Sequence, residues 1–342
     1  MNPPLPEVRP IGRRTLILGT GALVLGLAGC NGSADTGSAA PQGASSAAQS
    51  FTWTDARGKQ IDLPAVPKVV VAQSSAAASL LDAGLKFAGV YGELTETGGK
   101  LDYQAGTIDV GQVTVIGKTY GEFAVEAYAA MNPELLVDMS FDNKTLWYVP
   151  ADSASKIEAL APTLGIKALN LGLVEIIEEF MDLAAKLGAD TTAPAIVDAK
   201  AAFEQATEKI KAAVAAQPDL TVLAASPSSN TMYIANPTQH SDLALLKSLG
   251  VKFVDYQGKA EEYFAEINYE QLDTYNADVV LSDARNYAER DKVDSQATWK
   301  ALAAVKGGQV YDWLPAAPFS YAAYVSILEG YAKALSGAKR LV

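Results

Sequence analysis

One histidine and one cysteine in 342 residues restrict the chemistry open to this chain. Zinc and other transition metals are gripped by several His, Cys and carboxylate ligands at once, so a His/Cys-rich metal site is all but excluded. A lone Cys forms no disulfide within the chain and no Cys-His catalytic pair. A Ser-His-Asp triad would need His240, in Thr238-Gln239-His240-Ser241-Asp242, and no strained nucleophile motif surrounds any Ser. His240 reads as a polar residue at the start of a helix over Leu243–Leu249, not as a ligand or a base. No glycine-rich phosphate loop is present either. The chain therefore reads as a non-enzyme without a cofactor, and the side chains left to do chemistry are those of recognition. These are aromatic faces, a few cations and isolated carboxylates.

Cys30 has a different use. It follows two arginines, an apolar run from Leu16 to Leu27, and Leu27-Ala28-Gly29. A positive flank, a short apolar core and small residues before a cut site make a secretory signal. The run is too short to cross a bilayer, which takes ~20 residues. Cysteine directly after Leu-Ala-Gly matches the lipoprotein cleavage box. That match implies a signal peptide over 1–29, cutting before Cys30, and lipid on its thiol. Arg13-Arg14 also resembles a twin-arginine export signal, so the export route stays open. Residues 30–50 are small and polar and cannot build a core, so they read as a flexible tether. Removing the leader, with Arg9, Arg13, Arg14 and Glu7, takes the formal charge from −12 to −14. That surface argues against nucleic acid and against direct adhesion to anionic lipid. Contact with a membrane would come through the lipid alone, and the folded part reads as a monomer.

The elements that must position the recognition residues alternate between strand and helix. Apolar β-branched runs at Val69–Ala72, Phe87–Val90 and Leu135–Met139 read as strands. Ser74–Ala83, Phe123–Met131, Ile157–Leu164 and Leu173–Leu187 read as helices. Alternation of this kind predicts parallel sheets covered by helices on both faces. The rhythm breaks at Ala193–Ala216, a stretch without Gly. Ile196, Ala199, Phe203, Ala206, Ile210 and Ala213 step by three and four along one face, predicting one long amphipathic helix. Alternation then resumes with strands at Thr221–Ala225, Lys252–Asp255, Asp278–Ser282 and Val310–Trp313. Helices are predicted at Asp242–Leu249, Tyr269–Tyr275 and Tyr321–Leu335. The two halves repeat weakly: Val125–Val137 aligns with Tyr269–Leu281, each carrying a Glu at a helix start, then Asn, an acid and an apolar strand. The expected fold is α/β, with two doubly wound lobes (51–192 and 217–342) joined by a single long rigid helix (193–216) and a cleft between them. Ligands of open α/β sheets bind beyond the carboxyl ends of the strands, which is where the cleft would lie.

Lys68–Ala72, Glu126–Val137, the long helix, Glu270–Ser282 and Trp299–Trp313, in this order behind a lipoprotein signal, resemble the solute-binding proteins of ABC importers. The class is the one with a helical backbone that carries ferric siderophores, haem or vitamin B12. The resemblance implies an extracytoplasmic binding protein, lipid-anchored to the cell membrane, that delivers cargo to an ABC importer permease. In that family a Glu on each lobe docks onto an Arg of the permease. Glu126 stands seven residues before Pro133 and fits; Glu270 has the same spacing but Ala277 in place of the Pro. Metal-binding relatives hold the ion with several His, which this chain lacks, so the cargo is expected to be a chelate.

Ligand contacts are expected just after the strand ends, from Arg285, Trp313, Tyr233, Trp147 and Tyr120. Aromatic faces suit a large chelate shell, and Arg meets the oxygens around iron. Cations in these loops are few (Lys118, Lys144, Arg285, Arg290), so a hydroxamate or mixed-type ferric siderophore fits better than a strongly anionic tris-catecholate. Iron would be held by the siderophore. Haem or cobalamin is the alternative cargo, and a lipid-anchored interaction protein without small-molecule cargo is a third reading.

Overall fold

The computed structural model describes residues 49–97, 99–168 and 170–342. The expected signal peptide, Cys30 and the tether up to residue 48 lie outside the described residues.

The first lobe is built on a five-stranded parallel sheet. Its order is Thr114–Val115, Gly89–Tyr91, Val70–Gln73, Leu135–Ser140 and Thr163–Lys167. Every residue of Val70–Gln73 and Leu135–Ser140 is buried. Strands covered on both faces carry unbroken apolar runs, which is why these two stood out in the sequence. Helix Ser74–Asp82 follows the central strand, and the Gln73 side chain caps it by accepting the Ser75 and Ala76 N–H groups. Helix Leu173–Lys186 buries Ile176, Ile177, Phe180 and Leu183 along one face. The segment expected to be helical through Leu164 is instead helix Ala154–Leu160 followed by the edge strand. An unanticipated hairpin, Phe51–Thr54 with Gln60–Leu63, is tied to that edge. There the Asp55 carboxylate accepts the Arg57 Nε–H and the Gly165 N–H.

The second lobe departs from a purely parallel sheet. Thr221–Pro227 runs parallel to Val279–Asp283 and to the short Lys252–Phe253, and Val279–Asp283 runs parallel to Val310–Trp313. On its other side Thr221–Pro227 pairs antiparallel with Met232–Ala235, which pairs antiparallel with Phe264–Ile267. The cause is the connection after Pro227. Only Ser228 to Thr231 lie between the two strands, and a parallel crossover needs about a dozen residues. Around Glu270 the expected helix is a 3-10 helix, Tyr269–Tyr275.

The connecting helix is Pro194–Ala216, with Pro at its first turn and Phe203, Ala206, Ile210 and Ala213 buried. Its 23 residues span about 35 Å. It does not act alone. The closing helix Tyr321–Gly337 lies beside it: Phe203 meets Tyr321 at 5.2 Å between ring centroids, Lys209 pairs with Glu329, and Gln217 Nε2 donates to the Leu335 carbonyl. The contacts advance in the same direction along both helices, so the pair is parallel. The brace is thus two helices where the sequence suggested one. Further bonds cross between the halves: Tyr103 Oη to the Pro315 carbonyl, Phe319 N–H to Ser79 Oγ, and Ser320 Oγ to Asp82. One core cluster runs through both sheets and both helices, from Val70 and Leu135 to Val222 and Val279. The described residues belong to one compact unit.

Candidate functional site

At the carboxyl ends of the two sheets a chain of rings crosses from one lobe to the other. Tyr120 contacts Tyr148 at 5.1 Å between centroids, Tyr148 contacts Trp147 at 4.6 Å, and Trp147 contacts Phe141 at 4.9 Å. Phe141 reaches Tyr263 of the second lobe at 6.4 Å. Tyr263 meets His240 at 5.2 Å, and His240 packs at 4.8 Å against both Trp313 and Phe264. Phe264 ends the chain on Tyr233 at 6.2 Å. All these pairs are edge-to-face, the arrangement favoured by the ring quadrupoles.

Local folding explains the first-lobe half. Asp142 Oδ1 accepts the N–H groups of Lys144 and Thr145, which turns the chain after strand Leu135–Ser140. The Trp147 N–H then bonds back to the Met139 carbonyl. Beneath the loop lies Asp138, fully buried, accepting the Tyr91 hydroxyl at 2.9 Å, the Tyr148 N–H at 3.0 Å and the Met139 N–H at 2.7 Å. Burial outweighs these bonds and pushes its carboxyl up to about 7. Glu93 accepts the Tyr148 hydroxyl at 3.1 Å and the Tyr120 N–H at 3.2 Å, so one carboxylate orients two rings of the chain.

In the second lobe His240 is the N-cap residue of helix Ser241–Ser248. Its place at a helix start matches the sequence reading, but its ring is built into the aromatic chain. Burial pushes its pKa down to about 4, so the ring is neutral near pH 7. Its Nε2 lies 3.1 Å from the Tyr263 carbonyl. Among the described residues no group of His, Cys, Asp and Glu could hold a metal ion. The Tyr263 hydroxyl is buried and has no partner among the described residues.

Trp313 requires a correction. It ends its strand where the cleft was expected, yet it is 0% exposed and its indole N–H donates to the buried Asp242 at 2.7 Å. Its single donor is spent and its faces are covered, so it backs His240 instead of meeting a ligand directly. Tyr120 is 67% exposed at the outer end of the chain, and Trp147 and Tyr233 are half-buried within it.

Arg285 is held by its neighbour. Asp283 Oδ1 accepts the Arg285 backbone N–H at 2.9 Å and Nε–H at 3.0 Å, and Oδ2 accepts Nη2–H at 2.6 Å. The Asp283 side chain is 1% exposed and that of Arg285 32%. Arg285 stands just past the carboxyl end of strand Val279–Asp283, whose last residue is registered against Trp313, and stays paired with Asp283.

Glu126 and Glu270 stand apart from this site. Each is exposed and lies in the first turn of a short helix, Val125–Ala130 and Tyr269–Tyr275 respectively. Neither forms an ion pair among the described residues. A hollow of about 710 Å³ adjoins Glu270, with Glu262, Glu266 and Asp273 also on its wall.

Sequence reasoning passed over Phe141, Tyr148 and Asp283 as individual contacts and missed Tyr263, Phe264, Glu93 and Asp138. A polar Asp138 inside Leu135-Leu136-Val137-Asp138-Met139 was a usable signal. Tyr263 and Phe264 had none, because the strand that carries Phe264 was not anticipated.

The sequence profile described as "Periplasmic binding protein" matches residues 69–317. DesE, a ferric-siderophore receptor protein from Streptomyces coelicolor, is 37% identical over 85% of this chain and 100% of its own, with a TM-score of 0.79. The siderophore periplasmic binding protein from the fuscachelin gene cluster of Thermobifida fusca is 23% identical, covering 80% of this chain and 98% of its own, with a TM-score of 0.57. FhuD from Vibrio cholerae, a siderophore binding protein solved with Fe3+–Desferal, is 18% identical, covering 80% and 99%, with a TM-score of 0.59. The latter two likenesses are of fold. No curated protein matches the chain.

Proposed function

The chain belongs to the periplasmic binding protein family, a family of solute binders and not of enzymes, and we propose that it captures a ferric siderophore in the cleft and hands it to an ABC importer permease. The observation that carries this reading is the ring chain from Tyr120 to Tyr233, with Arg285 just past the strand end beside Trp313 in the second lobe. Rings offer broad apolar faces to a chelate shell, and a forked guanidinium meets its oxygens. Charge narrows the cargo. Glu93, Asp102 and Asp283 bring carboxylates to the region of Arg285, whose own charge is paired with Asp283. A tris-catecholate, strongly anionic, would be repelled, whereas a ferric tris-hydroxamate or a mixed-type complex is close to neutral. Glu126 and Glu270, exposed and unpaired at matching places on the two lobes, suit docking onto permease arginines. Lipid on Cys30 would keep the protein at the outer face of the membrane.

Titration of Trp fluorescence with ferric hydroxamates, ferric catecholates, haem and cobalamin tests the cargo. Arg285→Ala should weaken ferric hydroxamate binding about tenfold, since a charge-assisted bond contributes ~1.5–3 kcal/mol. Tight binding of haem or cobalamin, with none of any ferric siderophore, would replace the cargo.

A further inference from the structure

Asp283 does more than its place in a strand requires. It ends strand Val279–Asp283, is almost wholly buried, and commits both carboxylate oxygens to one residue. Its grip covers the Nε and Nη2 edge of the guanidinium. Nη1 makes no bond among the described residues, and the Arg285 side chain is 32% exposed. The result is an Arg at the strand end with a fixed plane, N–H donors left over on its Nη1 edge, and a charge already balanced at 2.6 Å.

That balance matters for what can be buried against it. Closing a neutral ligand over an unpaired guanidinium strands a charge away from water, which is costly. Closing it over the Asp283–Arg285 pair strands none, and the free donors still bond to ligand oxygens. An anionic ligand, by contrast, meets a guanidinium whose positive field is largely offset by the Asp283 carboxylate 2.6 Å away. Glu93 and Asp102, on the facing lobe, form no ion pair among the described residues to offset their own charge.

We propose that Asp283 is a specificity-determining residue: by fixing the Arg285 guanidinium and cancelling its charge, it makes the cleft select ferric chelates of zero charge over anionic ones. The inference rests on the ferric-chelate reading above and adds to it the residue that sets the charge class.

The test compares ferrichrome, a neutral tris-hydroxamate, with a ferric tris-catecholate bearing three negative charges, by Trp fluorescence titration of the purified protein. Wild type should prefer ferrichrome. Asp283→Asn keeps the shape but leaves Arg285 with its charge exposed, and should narrow that preference about tenfold. A merely structural role would weaken both ligands together, and a ratio unchanged within about twofold in folded Asp283→Asn overturns the proposal. Should that variant fail to fold by circular dichroism, Arg285→Lys changes only a partly exposed side chain. It keeps a charge but cannot be gripped at two points, and should weaken ferrichrome at least fivefold more than the tris-catecholate. Equal weakening overturns the proposal. A wild-type protein that binds neither chelate would bring down the ferric-chelate reading and this inference with it, whereas binding without charge discrimination brings down the inference alone.

Discussion

Asp138 makes the stability of the protein fall as pH rises. Its carboxyl is raised by burial from 3.8 to about 7 in the folded protein. A raised folded pKa means that the native state holds the proton more tightly than the unfolded chain. The stabilisation is complete below the unfolded value and is lost as pH rises through the folded one. Between pH 5 and pH 7 the folded side stays protonated while the unfolded side is ionised. Each unit is then worth 1.36 kcal/mol, so wild type should lose about 3 kcal/mol from this residue between pH 5 and pH 8. Asp242, raised by burial to about 6, acts in the same sense. His240, lowered by burial to about 4, acts oppositely, its stabilisation being present above 6.5 and lost as pH falls toward 4. Wild type alone therefore reports a mixture, and Asp138→Asn isolates the term. Asn cannot ionise and still offers an acceptor to the Tyr148 N–H. The perturbation is read by urea unfolding of both proteins at pH 5 and pH 8. The stability of Asp138→Asn relative to wild type should improve by about 3 kcal/mol at the higher pH. A difference that stays constant within 0.5 kcal/mol, about the error of such extrapolations, would refute the reasoning.

The other expectations concern transport and motion. Glu126→Lys combined with Glu270→Lys should leave cargo affinity within about threefold, because both side chains lie outside the ring chain, and should abolish uptake through lost permease pairing; normal uptake would remove the docking role. Small-angle scattering of the empty and loaded protein should give nearly equal radii. Helix Pro194–Ala216 is braced by Tyr321–Gly337, and bonds at Tyr103–Pro315 and Ser79–Phe319 tie the lobes elsewhere. A contraction of several Å would mean a flexible hinge. Cys30→Ser should leave the protein unprocessed or release it from membranes; a Ser variant that still takes up lipid label and stays membrane-bound would refute the anchor.

What the sequence made legible follows from how each element is stabilised. Val70–Gln73 and Leu135–Ser140 are buried on both faces and had to be apolar throughout, so they were visible as runs. The connecting helix buries one stripe, and Phe203, Ala206, Ile210 and Ala213 display its period. The partner of that stripe was not visible. Nothing in the spacing of Tyr321–Gly337 says which helix it packs on, because ridges and grooves are shared by all helices. The antiparallel pairing of Met232–Ala235 was hidden in a short connection, where loop length carried more information than residue type. The site shows the same division. Placing candidates after strand ends picked out Trp147 and Tyr233, which belong to the ring chain, and Arg285, which pairs with Asp283, since sheet topology alone groups those positions. It could not tell a ring that faces the cleft from one that lies behind it, and Trp313 was covered by His240 and Phe264 from a strand the sequence did not announce. For Arg285 the ion pair with Asp283 and the proposed ligand contact are compatible. Asp283 takes one edge of the guanidinium and leaves the opposite edge unbonded among the described residues. A pair that would ordinarily argue against a binding role is, under the proposal above, what holds the guanidinium in place for one.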